Sequence, residues 1–256
     1  MKRAGTIVGL LVWDIVFFVM AVLCYAGAFY AAAESYAWMD GLHVYAPLLW
    51  SCAVLTFLCA LTAEIALLHR LFPKPRAGRH KLLQGIGFWG YALNLLLQRI
   101  LFFGALRTVF HGTSVFRYLG YRALGAKIDF SVSTSIDALI LDPSLTTIGP
   151  GTTLGARSMV SGHYIKDGHL ILAEVVIGKD VLFAFESGCG PGVRIGDGTK
   201  VLSYGKLGPH AELGRNVVVG LEATVDAYVK IPDETRLGVR EHRRRPPRDK
   251  AEVGES

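Results

Sequence analysis

The apolar residues of the first half form two long, nearly uninterrupted runs. Residues 6–33 contain one formal charge, Asp14, and residues 44–68 also contain one, Glu64. A helix crosses a hydrocarbon core about 30 Å thick in about 20 residues, so each run is long enough to span a bilayer. A cleaved signal peptide would have a shorter apolar region, of about 7–15 residues. The pattern therefore predicts two transmembrane helices within residues 1–74.

A third apolar segment, residues 82–110, has a polar side. Its polar residues recur at spacings of seven, three and four, which places them on one face of a helix: Gln84, Tyr91, Asn94 and Gln98. Lys81 precedes the segment and Arg107 lies near its end, so a crossing would put positive charge on both sides of the membrane. We predict a basic linker and an interfacial or re-entrant amphipathic helix over residues 75–118, rather than a third span.

The second half changes to a period of six. Apolar residues stand six apart at Ile177, Phe183, Cys189, Ile195, Val201, Leu207, Leu213, Val219, Val225, Ile231 and Leu237. The preceding residue but one is small or β-branched, and the following residue is often Gly, which permits backbone conformations that a Cβ would disfavour. This period is typical of a solenoid whose coils stack to bury an apolar edge. It predicts a left-handed parallel β-helix of about six coils over residues 119–238, hence an α + β chain.

The repeat continues upstream and is then interrupted. Ile136, Ile148, Leu154 and Val160 keep the period, which is broken only by Asp142. From Val160 to Ile177 is seventeen residues, which is not a multiple of six, so the chain must leave the coil there. Loops on rigid scaffolds commonly carry chemistry, and this excursion is therefore the candidate site.

The basic residues predict the orientation of the chain in the membrane. Lys2 and Arg3 precede the first run, and the connecting loop, residues 34–43, has no Lys or Arg. Basic residues follow the second run at Arg70, Lys74, Arg76, Arg79 and Lys81. Both termini are therefore expected in the cytoplasm, with a multi-pass chain in the inner membrane and a cytoplasmic β-helix. The net charge of +6 fits contact with anionic headgroups, and no nucleic-acid recognition motif accompanies it.

Three features of the excursion and the coils after it resemble a known family. They are His163 on the excursion, the run VVIG at residues 175–178 and the run PGVRIGD at residues 191–197. On these motifs, residues 119–237 resemble the bacterial hexapeptide-repeat, or isoleucine-patch, acyltransferases. The resemblance implies a general-base His, acyl-CoA as co-substrate with acetyl-CoA the expected form, and no bound cofactor. It also implies a homotrimer with donor grooves between neighbouring β-helices.

The resemblance has one departure and one narrower extension. Lys166 stands where the family leads us to expect a Glu, although Asp167 lies in a region where relatives often have an acidic residue. The lead-in to the β-helix, residues 117–128, also looks like the terminal membrane modules of poly-amino-acid synthetases.

The chemistry implied by the resemblance needs one base. An acyl thioester is already activated, so a base removes the proton of a hydroxyl or amine while a donor stabilises the oxyanion. Imidazole, with an ordinary pKa of about 6.5, suits this step. We expect His163 to be the base and Asp167 to orient it, with a polar loop residue as the alternative for His163. His169 and His210 are less favoured, and Cys189 is expected in the core.

We expect no metal site. The histidine spacing does not match that of the zinc carbonic anhydrases built on a β-helix.

The two intramembrane carboxylates form a separate hypothesis. Asp14 lies eight residues inside the first run and Glu64 six residues before Arg70, so at about 1.5 Å per residue we expect similar depths. Charges at that depth are costly and are usually paired or functional. The favoured interpretation is ion pairing with Arg99 or Arg107, which would dock the amphipathic helix. The alternative is a polar path for an amphiphilic acceptor.

The sequence therefore predicts a membrane-anchored acyltransferase. The acceptor would be lipid-linked, part of an envelope glycan, or an amine delivered at the membrane. A non-catalytic β-helix scaffold and a condensing module with a carrier-bound aminoacyl donor remain alternatives. The basic end, residues 239–256, is expected to be a disordered tail, with phosphate contact as the alternative.

Overall fold

The first two helices of the computed structural model, which describes residues 2–42 and 45–245, form an antiparallel pair. Helix α1 is Lys2–Asp40 and α2 is Ala46–Leu71. Phe29 packs on Phe57 with ring centroids 4.7 Å apart, and Tyr36 packs on Trp50 at 5.2 Å. Among the described residues, Val12–Asp40 and Ala46–Leu71 are the two single helices long and apolar enough to span a membrane. The prediction of two such helices is confirmed.

The third apolar segment is two helices rather than the one expected. Helix α3 is Gly85–Leu101 and α4 is Ala105–Gly112, and their axes differ by 86°. Gly104 lies in the break, directly before α4, with φ of 54°, a conformation that glycine adopts readily. The polar side of α3 contacts protein: Asn94 Nδ2 donates to Pro73 O at 3.1 Å. Helix α5, Ser114–Ala123, then leads into the solenoid.

Apart from one excursion, residues 127–243 form a solenoid of three parallel sheets. The first sheet contains β2 (Lys127–Ile128), β5 (Thr146–Ile148), β10 (Val175–Ile177), β13 (Arg194–Ile195), β16 (Glu212–Leu213) and β19 (Lys230–Ile231). The second contains β3 (Ser133–Thr134), β6 (Thr153–Leu154), β11 (Leu182–Phe183), β14 (Lys200–Val201) and β17 (Val218–Val219). The third contains β4 (Leu139–Ile140), β7 (Met159–Val160), β12 (Gly188–Cys189), β15 (Lys206–Leu207), β18 (Thr224–Val225) and β20 (His242–Arg243).

The period of six predicts the solenoid core correctly. All the apolar residues of the repeat from Ile177 to Leu237 are buried, and successive coils pair in register, as Ile177 does with Ile195. A parallel solenoid of about six turns is confirmed. Cys189 is one of these inward residues, and burial raises the pKa of its thiol to about 12, which suits a core position.

The glycines that follow the inward apolar residues are required for a different physical reason from the one expected. A Cβ on Gly196 would lie 2.6 Å from the carbonyl carbon of Gly214 in the next coil. The positive φ falls two residues further along the repeat, at residues such as Tyr204 (63°) and Asn216 (54°). The Gly slot is therefore required by close stacking of coils rather than by an unusual backbone conformation.

The frame of the first coils differs from the sequence interpretation. The inward residues are Ile128, Thr134 and Ile140, whereas Ile136 is 47% exposed. Ile140 and the next inward residue, Ile148, are eight residues apart. The extra length holds Asp142 and a 3₁₀ turn, Pro143–Leu145. The repeat therefore slips twice, and Asp142 marks the first slip instead of interrupting a constant frame.

Two segments expected to be irregular contain strands. The excursion is a hairpin of β8 (His163–Lys166) and β9 (His169–Leu172), and β1 (Gly78–Lys81) in the expected linker pairs antiparallel with β9. Strand β20 lies in the expected tail and pairs with β18, because it continues the ladder of the third sheet. Residues 246–256 of the expected tail lie outside the described residues.

Candidate active site

The imidazole of His163 is held by a buried carboxylate. Its Nδ1 lies 2.8 Å from Oδ2 and 3.0 Å from Oδ1 of Asp142, whose residue is only 5% exposed. A carboxylate accepts hydrogen bonds, so Nδ1 carries the proton and Nε2 keeps its lone pair. The N–H of Gly162 donates to Asp142 Oδ2 at 2.7 Å and fixes the carboxylate from a second direction. The pair therefore has the arrangement of an oriented base.

The solenoid brings these two residues together because both slips occur at the same corner. Ile140 of β4 and Val160 of β7 are register partners on adjacent coils. Asp142 follows Ile140 by two residues and His163 follows Val160 by three, so both leave the coil side by side. Neither slip alone would make the pair.

Helix α3 covers this corner. Tyr91 packs on the His163 ring with centroids 5.2 Å apart, and Gln98 Nε2 donates to Ile140 O at 2.8 Å. Burial, and then the nearby Asp142 carboxylate, raise the pKa of Tyr91, so its phenol stays protonated. Leu170 and Leu172 of the hairpin pack with Leu145 in a small apolar cluster against the same helix. The hairpin, the first coil and α3 thus support one site.

His163 lines an open cavity of about 390 Å³ between the helices and the first coil. The remaining lining is largely aromatic, aliphatic and basic: Tyr91, Leu95, Gln98, Arg99, Phe102, Arg107, His111, Tyr121, Leu139, Ile140 and Leu141. Burial, followed by Arg107 and Arg117, lowers the pKa of His111 to about 4, so this second imidazole is neutral near pH 7. The volume suits a small-molecule site, for which about 300–1,000 Å³ is usual.

The other candidate residues of the excursion and the coils lie apart from this cavity. Asp167, expected to orient His163, is in the turn between β8 and β9 with φ of 48°, and its carbonyl oxygen accepts from His169 Nδ1 at 2.8 Å. Strand β8 places Asp167 at the opposite end of the strand from His163. Asp142 lies beside the His163 ring instead. His210 stacks on Tyr228 with centroids 4.9 Å apart.

Asp14 and Glu64 are not at similar depths. Glu64 faces Gly27 of α1, and Gly27 is thirteen residues beyond Asp14, or about 20 Å along a helix. The prediction of similar depths assumed that the two apolar runs end at the same level. In the structure the N-terminal part of α1 extends past the C-terminal end of α2. Within the described residues neither carboxylate lies within 4.0 Å of a basic group, so the expected pairing with Arg99 or Arg107 is not formed.

Asp142, Tyr91 and His111 were missed as site residues. One feature of the sequence could have identified Asp142. A carboxylate at an inward position of the repeat is costly, so its presence there indicates a shift of the repeat frame. Tyr91 was recognised only as part of a polar helix face. In residues 2–42 and 45–245, no group of three or more His, Cys, Asp or Glu residues is gathered in a way that would hold a metal ion.

Comparison with known proteins gives no family assignment. No family model and no curated protein matches the chain. Among solved structures, the acetyltransferase domain of PglB from Neisseria gonorrhoeae in complex with acetyl coenzyme A is 18% identical, over 50% of this chain and 63% of that one, with a TM-score of 0.29. A variant of GDP-perosamine N-acetyltransferase from Caulobacter crescentus in complex with CoA and GDP-perosamine is 15% identical, over 50% and 62%, with a TM-score of 0.28.

A third structure covers more of the chain. The hexapeptide-repeat-containing acetyltransferase from Vibrio cholerae is 14% identical, over 71% of this chain and 85% of that one, with a TM-score of 0.24. The chain spans less than two thirds of the length of the first two structures. All these TM-scores lie below 0.5.

Proposed function

We propose that the chain is a membrane-anchored acyltransferase that moves an acyl group from acyl-CoA to a hydroxyl or amine, with His163 as general base. The observation that carries this proposal is the His163–Asp142 pair at the wall of the 390 Å³ cavity. The motifs that resemble the hexapeptide-repeat acyltransferases support acyl-CoA as the donor. The homotrimer implied by that resemblance belongs to the same proposal.

The reaction follows from the tautomer that Asp142 favours. Nε2 of His163 takes the proton of the acceptor as the acceptor oxygen or nitrogen attacks the thioester carbonyl carbon. A new C–O or C–N bond forms and the C–S bond breaks. The coenzyme A thiolate leaves and receives the proton from the imidazolium. Asp142 stabilises the positive charge that the imidazole carries between the two proton transfers.

The test compares full-length wild type with His163→Ala in detergent. Coenzyme A binding is measured by titration calorimetry, and thioester cleavage by release of free thiol from acetyl-CoA. We expect binding in both proteins and turnover about 10²–10⁴-fold lower in the variant, the usual contribution of a positioned base. His169→Ala is the matched control, because His169 lies on the same hairpin and is absent from the cavity lining.

Two results would count against this proposal. Equal turnover in wild type and His163→Ala would remove His163 as the base. No coenzyme A binding in either protein would favour a scaffold or a carrier-bound aminoacyl donor, and addition of an aminoacyl carrier protein would then separate those two.

A further inference from the structure

A second cavity adjoins the one that His163 lines. It has a volume of about 530 Å³ and lies between α1 and the break that separates α3 from α4. Its lining is mostly aromatic: Trp13, Asp14, Phe17, Phe18, Arg99, Phe102, Phe103 and Gly104. Arg99 and Phe102 line both cavities, so these two residues lie at the boundary between them.

The two cavities are similarly apolar overall but differ in their ends: titratable groups lie at one end and aromatic rings at the other, which we call the apolar end. His163 and Arg107 are at one end, Arg99 is at the junction, and Phe17 and Phe18 are at the other end. In the part of the chain that the structure describes, no carboxylate lies within 4.0 Å of either arginine. Asp14 is the acidic group of the apolar end. The two guanidinium groups therefore offer charge for an anion between the base and the aromatic residues.

The apolar end lies at one end of a candidate span. Trp13 and Phe17 belong to the first turns of the candidate span Val12–Asp40. Since Gly27 of α1 is level with Glu64 of α2, the end of α2 at Leu71 is level with about Met20, so Phe17 lies about 5 Å and Trp13 about 10 Å beyond that end. A bilayer around the two long helices would place this cavity at its boundary, where an alkyl chain can leave the hydrocarbon without crossing water.

We propose that the acceptor is an anionic amphiphile that enters from the membrane leaflet. Its alkyl chain would lie against Trp13, Phe17 and Phe18, its anionic group would bind Arg99 and Arg107, and its hydroxyl or amine would reach His163. This rests on the proposed acyl transfer, and it adds the substrate class and the route of entry. A neutral soluble acceptor would use neither the arginines nor the aromatic end.

The probe for this site is dodecyl phosphate brominated near the end of its chain. Bromine quenches tryptophan fluorescence at short range, so bound probe is detected through Trp13 and through Trp89, whose ring centroid lies 6.5 Å from that of Trp13. The double variant Trp13→Phe, Trp89→Phe identifies that signal. Binding is measured with the full chain in an uncharged detergent and without acyl-CoA. Inorganic phosphate and dodecanol are added as competitors, which represent the anionic group alone and the chain alone.

We expect saturable quenching, with each of Arg99→Gln and Arg107→Gln weakening binding by about tenfold, the usual effect of losing one charge-assisted hydrogen bond. Arg122→Gln is the matched control, since Arg122 is an exposed arginine of α5 that lines neither cavity. Its binding should change by less than about twofold, as for an exposed charge. Both competitors should displace the probe only weakly.

The proposal is overturned if inorganic phosphate competes as well as the probe binds, since the ligand would then be a soluble anion. It is also overturned if both arginine variants bind like wild type, or if the quenching is undiminished in the double variant Trp13→Phe, Trp89→Phe. Because binding is measured without turnover, a failure of acyl transfer leaves this result interpretable. Conversely, turnover on a soluble acceptor with no probe binding would reject the amphiphile alone.

Discussion

His163 shows what a single sequence can predict about a candidate catalytic residue. Its place on an excursion from a regular repeat indicated the site, because the break in period is visible in the chain itself. The family resemblance led us to expect Asp167 as its partner, whereas the structure places Asp142 at 2.8 Å. Asp142 is 21 residues away, and this pairing depends on which coils are adjacent. Which residues of adjacent coils are neighbours depends on the position of each residue in the six-residue repeat. The sequence interpretation missed the slip at Asp142 and so placed the residues before it at the wrong positions of the repeat.

Replacing Asp142 with Asn should lower kcat while changing the KM for acyl-CoA little. The amide can donate to Nδ1 of His163 and so favours the tautomer in which Nε2 carries the proton and cannot act as a base. A fall in kcat of about 10²–10⁴-fold is expected in steady-state assays of acyl-CoA turnover. Because the side chain keeps its shape, the coenzyme A affinity should be retained.

Asp167→Asn is the control for this prediction, since Asp167 lies in the hairpin turn. Its kcat should equal that of wild type. Recovery of part of the activity in Asp142→Glu, with a changed pH profile, would indicate positioning of the imidazole rather than a structural role. If Asp142→Asn raises KM for acyl-CoA and leaves kcat unchanged, the positioning role is wrong.

At the scale of elements, the six-residue repeat could be predicted from the sequence, whereas the strand and helices packed against the solenoid could not. From Ile177 onward every coil presents the same spacing, so an ambiguous residue at one position is resolved by the others. Strand β1, by contrast, is the four residues Gly78–Lys81, which have no alternation of apolar and polar residues. Its partner β9 lies some ninety residues away, as in the pairing of Lys81 with His169. Likewise the break at Gly104 depends on one glycine in an otherwise continuous apolar segment.

Gly196→Ala should destabilise the solenoid. The added Cβ would lie 2.6 Å from backbone carbon and oxygen atoms of Gly214 in the next coil, and backbone in a stacked coil has little room to move. Overpacking of this kind costs about 1–3 kcal/mol, so thermal unfolding in detergent should occur several degrees lower.

Gly112→Ala provides the comparison, because Gly112 is in helix α4 and a Cβ there meets no atom within 4 Å. Alanine is a better helix former than glycine by about 1 kcal/mol, so this variant should be as stable as wild type or more stable. An unfolding temperature for Gly196→Ala equal to that of wild type would mean that the coils can separate locally at this level.

At the scale of the whole molecule, the two cavities and the basic residues that flank the long helices lie towards the same end. Trp13 of α1 packs on Trp89 of α3, and Gln98 of the same helix donates a hydrogen bond to Ile140 in the first coil. The His163 cavity and the adjoining aromatic cavity are therefore both near the N-terminal end of α1. This is the end that carries Lys2 and Arg3, and a further basic cluster follows α2. The docking of α3 on the solenoid could not be predicted, because periodicity says which face of an element is apolar and not which element covers it.

The distribution of basic residues predicts the side of the membrane on which this arrangement lies. Residues 34–43, between the two long helices, contain no Lys or Arg, whereas both outer flanks are basic, so the flanks should stay in the cytoplasm. A green fluorescent protein fused to the C-terminus should be fluorescent, and alkaline phosphatase inserted after Gly41 should be active, since these reporters work in the cytoplasm and outside it respectively. An inactive phosphatase at Gly41 together with a dark C-terminal reporter would mean that the chain has the opposite orientation in the membrane. The amphiphile would then have to enter from the opposite leaflet, and the solenoid would be separated from cytoplasmic acyl-CoA.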